Sequence, residues 1–143
     1  MSAAADSAAP FAAAPARASK PGRILIVDDE SVFRELIQSF LQARGHQVHT
    51  ESDGKAAALW LAGNEVDLVV SDICMPESDG IELMMELRRR GTAVPVIVMS
   101  GGVHGEVALV LRTAALLGAR RAFAKPFALE ELAAAVEREL AIA

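Results

Sequence analysis

The sequence predicts an α/β fold: a doubly wound, five-stranded parallel sheet with helices on both faces. Two observations predict it. From Arg23 onward, runs of four or five apolar residues alternate with segments of ten to fifteen residues that carry helical spacing, the pattern of βα units with right-handed crossovers. Four of the runs, at 24–27, 68–71, 96–99 and 122–124, end in residues of a specific kind: Asp28-Asp29, Asp72, Ser100 and Lys125-Pro126. In a parallel sheet those C-terminal ends lie side by side, so three carboxylates, a hydroxyl and an ammonium converge on one crevice.

The elements follow in order. Strand 24–27 is followed by a helix over 31–44, with Val32, Leu36, Ile37, Phe40 and Leu41 as its apolar stripe and Gly45 placed to end it. Residues 48–51 alternate apolar and polar, which marks a half-exposed edge strand. A helix over 55–62 leads to strand 68–71, and a helix over 81–90 ends at Gly91. The run 94–99 is the most continuously apolar, as expected of a strand buried on both faces. A helix over 105–117 stops at Gly118, a short strand covers 122–124, and a last helix over 129–140 faces inward through Leu129, Leu132, Ala133, Val136 and Leu140.

Composition bounds the function. The chain has 143 residues, 52% hydrophobic and 23% charged, enough for one domain with one core. Its net charge is −5; residues 1–22 carry +1, so the remainder carries −6, which disfavours nucleic acid as a partner. No apolar stretch is long enough to suggest a membrane span. The single Cys74 excludes an internal disulfide and suits a reducing compartment such as the cytoplasm. Residues 1–22, rich in Ala and Pro, read as a disordered arm ahead of a domain over 23–143.

Asp28-Asp29-Glu30 stands between a strand and a helix, where a single acidic residue would suffice for capping. Two adjacent carboxylates point in different directions and can hold a metal from two sides; oxygen-only donors favour Mg²⁺. A turn explains Pro76, Asp79 and Gly80 but not Asp72. Clustering Asp72 with Asp28 and Asp29 costs on the order of 4 kcal/mol for a pair at 4 Å and an effective dielectric of 20, unless a cation offsets it. Lys125 and Mg²⁺ together supply that charge. Ser100, followed by Gly101-Gly102, reads alone as an ordinary turn and in this company as a hydroxyl donor to a phosphoryl oxygen. His46, His49 and His104 lack metal-ligand spacing and read as surface residues, while the methionines at 75, 84, 85 and 99 read as filling core and loop contacts.

With these motifs in order, Val-Asp-Asp-Glu at 27–30, Asp-x-x-Met-Pro-x-x-Asp-Gly at 72–80, Ser-Gly at 100–101, Gly-Ala at 118–119 and Lys-Pro-Phe at 125–127, the chain resembles the receiver domain of bacterial two-component response regulators. The likeness covers residues 23–143 and implies the (βα)5 flavodoxin-like receiver fold of the stand-alone, single-domain type. It implies that Asp72 is the phosphoacceptor, that Asp29 and Asp72 bind Mg²⁺ directly with Asp28 acting through water, and that the backbone carbonyl of Cys74 completes the protein ligands. Lys125 and Ser100 would be the charge-balancing and switch residues. A sensor histidine kinase or phosphotransfer protein would supply the phosphoryl group, and a downstream protein partner would read it. The domain would be no enzyme beyond promoting its own phosphorylation and dephosphorylation.

The family commonly carries a switching aromatic three residues before the Lys, where this chain has Ala122. The expected readout therefore runs through the backbone and the 103–117 helix, whose excess apolar residues mark a partner or homodimer face spanning this helix, the last strand and the last helix, with Leu109, Leu116 and Phe123 on it. Two other classes are weighed. A receiver-fold interaction domain free of phosphorylation need not keep repelling carboxylates together. A Mg²⁺-dependent aspartyl-nucleophile phosphohydrolase usually has an acidic residue two positions after the nucleophile, where this chain has Cys74.

Overall fold

The computed structural model describes residues 20–73, 79–101 and 107–142, without the side chains of residues 79, 107 and 109–111. Strands β1 (Arg23–Val27), β2 (Gln47–Glu51), β3 (Leu68–Asp72), β4 (Val96–Ser100) and β5 (Arg121–Ala124) form one parallel sheet in the order β2-β1-β3-β4-β5. Between them run α1 (Ser31–Ala43), α2 (Gly54–Leu61), α3 (Asp79–Arg89) and α4 (Val107–Leu116), and α5 (Leu129–Ile142) closes the chain. The alternating 48–51 stretch lies at the sheet edge, and the strands β3 and β4 are buried throughout.

Strand alternation sends side chains into two cores. Ile24, Ile26, Leu68, Val70, Ile97 and Met99 pack with Ile37 and Leu41 of α1 and with Leu132, Val136 and Leu140 of α5. Leu25, Val27, Val69 and Val98 pack on the other face with Ala57 of α2, Leu83, Met84 and Leu87 of α3 and Ala114 of α4. Helices α1, α3 and α4 are followed by Gly45, Gly91 and Gly118 at φ of 104°, 72° and 106°, the left-handed stop that their placement predicts.

Four expectations need correction. In α1, Val32 and Leu36 are 79% and 51% exposed, and the inward row is Phe33, Ile37 and Leu41. These stand four apart and so share one face, whereas 32 and 36 fall on the neighbouring row. Met85 is exposed rather than a core filler. Gly80 is no turn residue: it is buried inside α3, and a Cβ there would overlap the Asp72 carbonyl and Ile73 Cα, so glycine lets the helix rest on the end of β3.

His46 is buried rather than a surface residue. Its Nδ1 accepts the Gly22 N–H at 3.0 Å, which leaves Nε2 to donate to Glu137 Oε2 at 3.1 Å. Arg44 donates to both oxygens of the same carboxylate at 2.5 and 2.6 Å, so Glu137 ties the end of α1 to α5. The Arg44 hydrogen bond chiefly, with His46 assisting, holds Glu137 below the usual carboxylate range against the opposing effect of burial. A carboxyl depressed on folding stabilises the protein above its unfolded pKa and loses that contribution as pH falls through the folded one. Glu137→Gln is therefore expected to shrink the stability difference between neutral and acid pH, read as urea midpoints from pH 7 to below about 4.3. An unchanged difference would contradict this role.

Of the arm, residues 1–19 lie outside the described residues, as do 74–78, 102–106 and 143. Among the described residues, no helix is long and apolar enough to cross a membrane.

Candidate functional site

The sheet order reverses direction between β1 and β3, and the crevice at such a point lies beyond the strands' C-terminal ends. Register brings those ends level: Val27 pairs with Ser71, Asp72 with Met99, and Ser100 with Ala124. Backbone bonds from Asp28 N–H to the Glu51 carbonyl at 3.2 Å, Ile73 N–H to the Met99 carbonyl at 2.9 Å and Lys125 N–H to the Ser100 carbonyl at 2.8 Å extend the ladders past the strands. The residues that follow each strand are thereby fixed by the sheet itself.

Asp28, Asp29 and Asp72 each bring a carboxylate oxygen within 4.8 Å of the others. Asp28 and Asp72 are buried at 0% and 4% exposure, and Asp29 faces solvent. Lys125 Nζ donates to Asp28 Oδ2 at 2.9 Å and to Asp72 Oδ2 at 3.0 Å, with Glu30 Oε1 at 3.8 Å. Burial alone would lower the Lys125 ammonium, but hydrogen bonds and charge from Asp28 and Asp72 outweigh it and raise its pKa above the ordinary lysine value. Lys125 is thus a fixed cation. The Lys125-Pro126 bond that follows is cis.

Other groups hold the acidic residues in place. Asp28 Oδ1 accepts the Glu30 N–H at 2.8 Å, and the Asp28 carbonyl accepts Arg34 Nη1 at 2.5 Å. The Asp72 carbonyl accepts the Ser71 hydroxyl at 3.1 Å. Ser100 is fully buried at the same end of the sheet. Arg34 and Phe33, whose ring centroid lies 4.3 Å from Lys125 Nζ, belong to this neighbourhood and were not legible as site residues. The only signal for either is its place in the first turn after the acidic pair.

Three carboxylates against one ammonium leave the cluster at −2, and every donor atom among them is a hard oxygen. That set fits a small divalent cation such as Mg²⁺. The Cys74 carbonyl expected among the ligands lies outside the described residues.

Two side chains of the expected partner face are among those described. Leu116 on α4 is 77% exposed, whereas Phe123 is half-buried and packs on the opposite face of the sheet, against the core beneath α1 and α5. Strand alternation is the reason: Ala122 is the exposed neighbour on β5, and Phe123 turns to the other side. The Leu109 side chain lies outside those described.

Residues 24–137 match the family described as the response regulator receiver domain. The chain is 38% identical over 118 residues to the regulatory protein AtoC of Escherichia coli (strain K12), covering 82% of this chain and 25% of that protein. It is 39% identical over 115 residues to the response regulator MprA of Mycobacterium sp. (strain KMS), covering 80% and 48%. The chain therefore spans between a quarter and about half of these relatives. Among solved structures, the receiver domain of the Francisella response regulator 1452 superposes with a TM-score of 0.73 at 28% identity, covering 85% of this chain and 98% of that one. Full-length FixJ from B. japonicum superposes with a TM-score of 0.76 at 32% identity, covering 86% and 59%.

Proposed function

Since the chain belongs to the response regulator receiver domain family, we propose that it is a phosphoacceptor signalling module whose nucleophile is Asp72. The observation that carries the reading is the Lys125 ammonium shared between Asp28 and Asp72 in a cluster that still needs two positive charges. The donor is a phosphohistidine of a histidine kinase or phosphotransfer protein. An Asp72 carboxylate oxygen attacks phosphorus in line; the new O–P bond forms as the N–P bond breaks, and the bond pair leaves on the imidazole nitrogen, which keeps or takes up a proton.

Asp29, Asp72 and the Cys74 backbone carbonyl would hold Mg²⁺ directly, with Asp28 acting through water, and the bound ion would supply charge to the transferring oxygens. Lys125 offsets a further charge from the opposite side. Ser100, buried at the end of β4, donates its hydroxyl to the phosphoryl group and so couples phosphorylation to conformation. Moving a population from 1:99 to 99:1 takes about 5.5 kcal/mol of differential interaction, a scale that a few charge-assisted hydrogen bonds approach. The output is contact with a downstream protein, and an acidic domain with one cysteine suits the cytoplasm.

Incubation with Mg²⁺ and a small acyl-phosphate donor, followed by intact mass, tests the reading. One added phosphoryl group that hydroxylamine removes, as it removes an acyl phosphate, is the expected result. No adduct under these conditions would favour an interaction domain that phosphorylation does not control.

A further inference from the structure

We propose that Phe33 is a positioning residue for Lys125, its ring face holding the ammonium between the two buried carboxylates. The inference rests on the role given to Lys125 above. Nζ stands 4.3 Å from the ring centroid, well within the range of about 6 Å at which an ammonium is drawn to the negative face of an aromatic ring. The Lys125 side chain is only 14% exposed, so the attraction acts with little screening by water. Two directions around Nζ are taken by Asp28 and Asp72, at 2.9 and 3.0 Å. Phe33 walls off another, where a lysine on a flexible four-carbon stem would otherwise swing out.

The ring is itself held from two sides. Phe33 stands on the i, i+4 row of α1 with Ile37 and Leu41, both fully buried. Across from it Phe127 meets it edge-on, centroids 5.8 Å apart and planes at 79°, and Phe127 in turn leans on Phe123 at 5.2 Å. Phe127 lies two residues after Lys125, so one turn delivers both the ammonium and the aromatic that sets the ring beside it. A hydrogen bond is lost when its donor pivots, whereas attraction to a ring face varies gently with position. Such a seat lets Lys125 pass from an Asp72 oxygen to a phosphoryl oxygen without leaving the site.

The test replaces Phe33 in the full chain with mono-, di- and trifluorinated phenylalanine, which drain the negative face with little change of shape, and with leucine, which removes it. Two readouts are taken: the rate of phosphoryl uptake from a small acyl phosphate with Mg²⁺, and the proton shifts of the Lys125 ε-methylene without metal. The proposal expects a stepwise fall in rate, about three- to tenfold at the trifluorinated ring. It also expects an upfield ring-current shift of the ε-methylene protons that Phe33→Leu abolishes. Rates that stay flat across the fluorinated series, or an ε-methylene shift that Phe33→Leu does not alter, would overturn it. If the wild type takes up no phosphoryl group, the functional reading fails instead, and the ε-methylene shift still decides whether Phe33 seats the ammonium.

Discussion

Asp72→Asn is expected to abolish phosphoryl uptake while leaving the metal-free fold at least as stable as the wild type. The asparagine amide has the same shape and keeps an acceptor for Lys125 Nζ, 3.0 Å away, but its oxygen is too weak a nucleophile to attack phosphorus. It also takes one of three negative charges out of a cluster whose ligand atoms lie within 4.8 Å. A like-charge pair at 4 Å costs on the order of 4 kcal/mol at an effective dielectric of 20, and part of that returns when Asp72 becomes neutral. The weakened bond to Lys125 offsets some of the gain.

Mg²⁺ is expected to shift the two proteins unequally. A ligand bound only by the folded state adds about 2.7 kcal/mol at a hundred times its Kd, and the variant, short of one carboxylate, gains less at equal Mg²⁺. Urea midpoints in chelator and in Mg²⁺, together with intact mass after exposure to the donor, measure both effects. Phosphoryl uptake by Asp72→Asn equal to wild type would remove Asp72 from the nucleophile's role. A metal-free variant much less stable than wild type would show that its charge is not a source of repulsion.

Sheet, edge and site positions were legible because each depends on short-range signals. A continuous apolar run marked β4 as buried on both faces, alternation put β2 at the edge, and the polar residue after each strand fell where the parallel register levels the strand ends. What escaped depends on rotation or on contacts distant in sequence. The helical stripe read as Val32, Leu36, Ile37, Phe40 and Leu41 is right at Ile37 and Leu41 but takes in the exposed Val32 and Leu36 and misses Phe33, and apolarity alone does not tell adjacent rows apart. His46 is buried by partners 24 and 91 residues away, Gly22 and Glu137, which no local pattern reveals. Gly80 reads as a turn residue until the backbone of β3 is seen beneath it. Phe33 beside Lys125 is the same case, since 92 residues of sequence separate the ring from the ammonium.

Lys125→Met is expected to act in the opposite direction from Asp72→Asn. Methionine fills much of the same volume but leaves Asp28 and Asp72, 0% and 4% exposed, without their shared cation. Breaking a buried ion pair from one side costs about 3–5 kcal/mol, because the remaining charge stays buried and uncompensated. Two departures from wild type then identify the cause. Mg²⁺ should recover more stability in the variant than in the wild type, since it now supplies the only positive charge in the cluster. The deficit should also narrow as pH falls through the carboxylate range, where protonation removes the uncompensated charge. Chemical unfolding at neutral and mildly acid pH, with chelator and with Mg²⁺, measures all three. A deficit that responds to neither metal nor acid would mean that Lys125 contributes packing against Phe33 and not charge, and the electrostatic account of the site would fall with it.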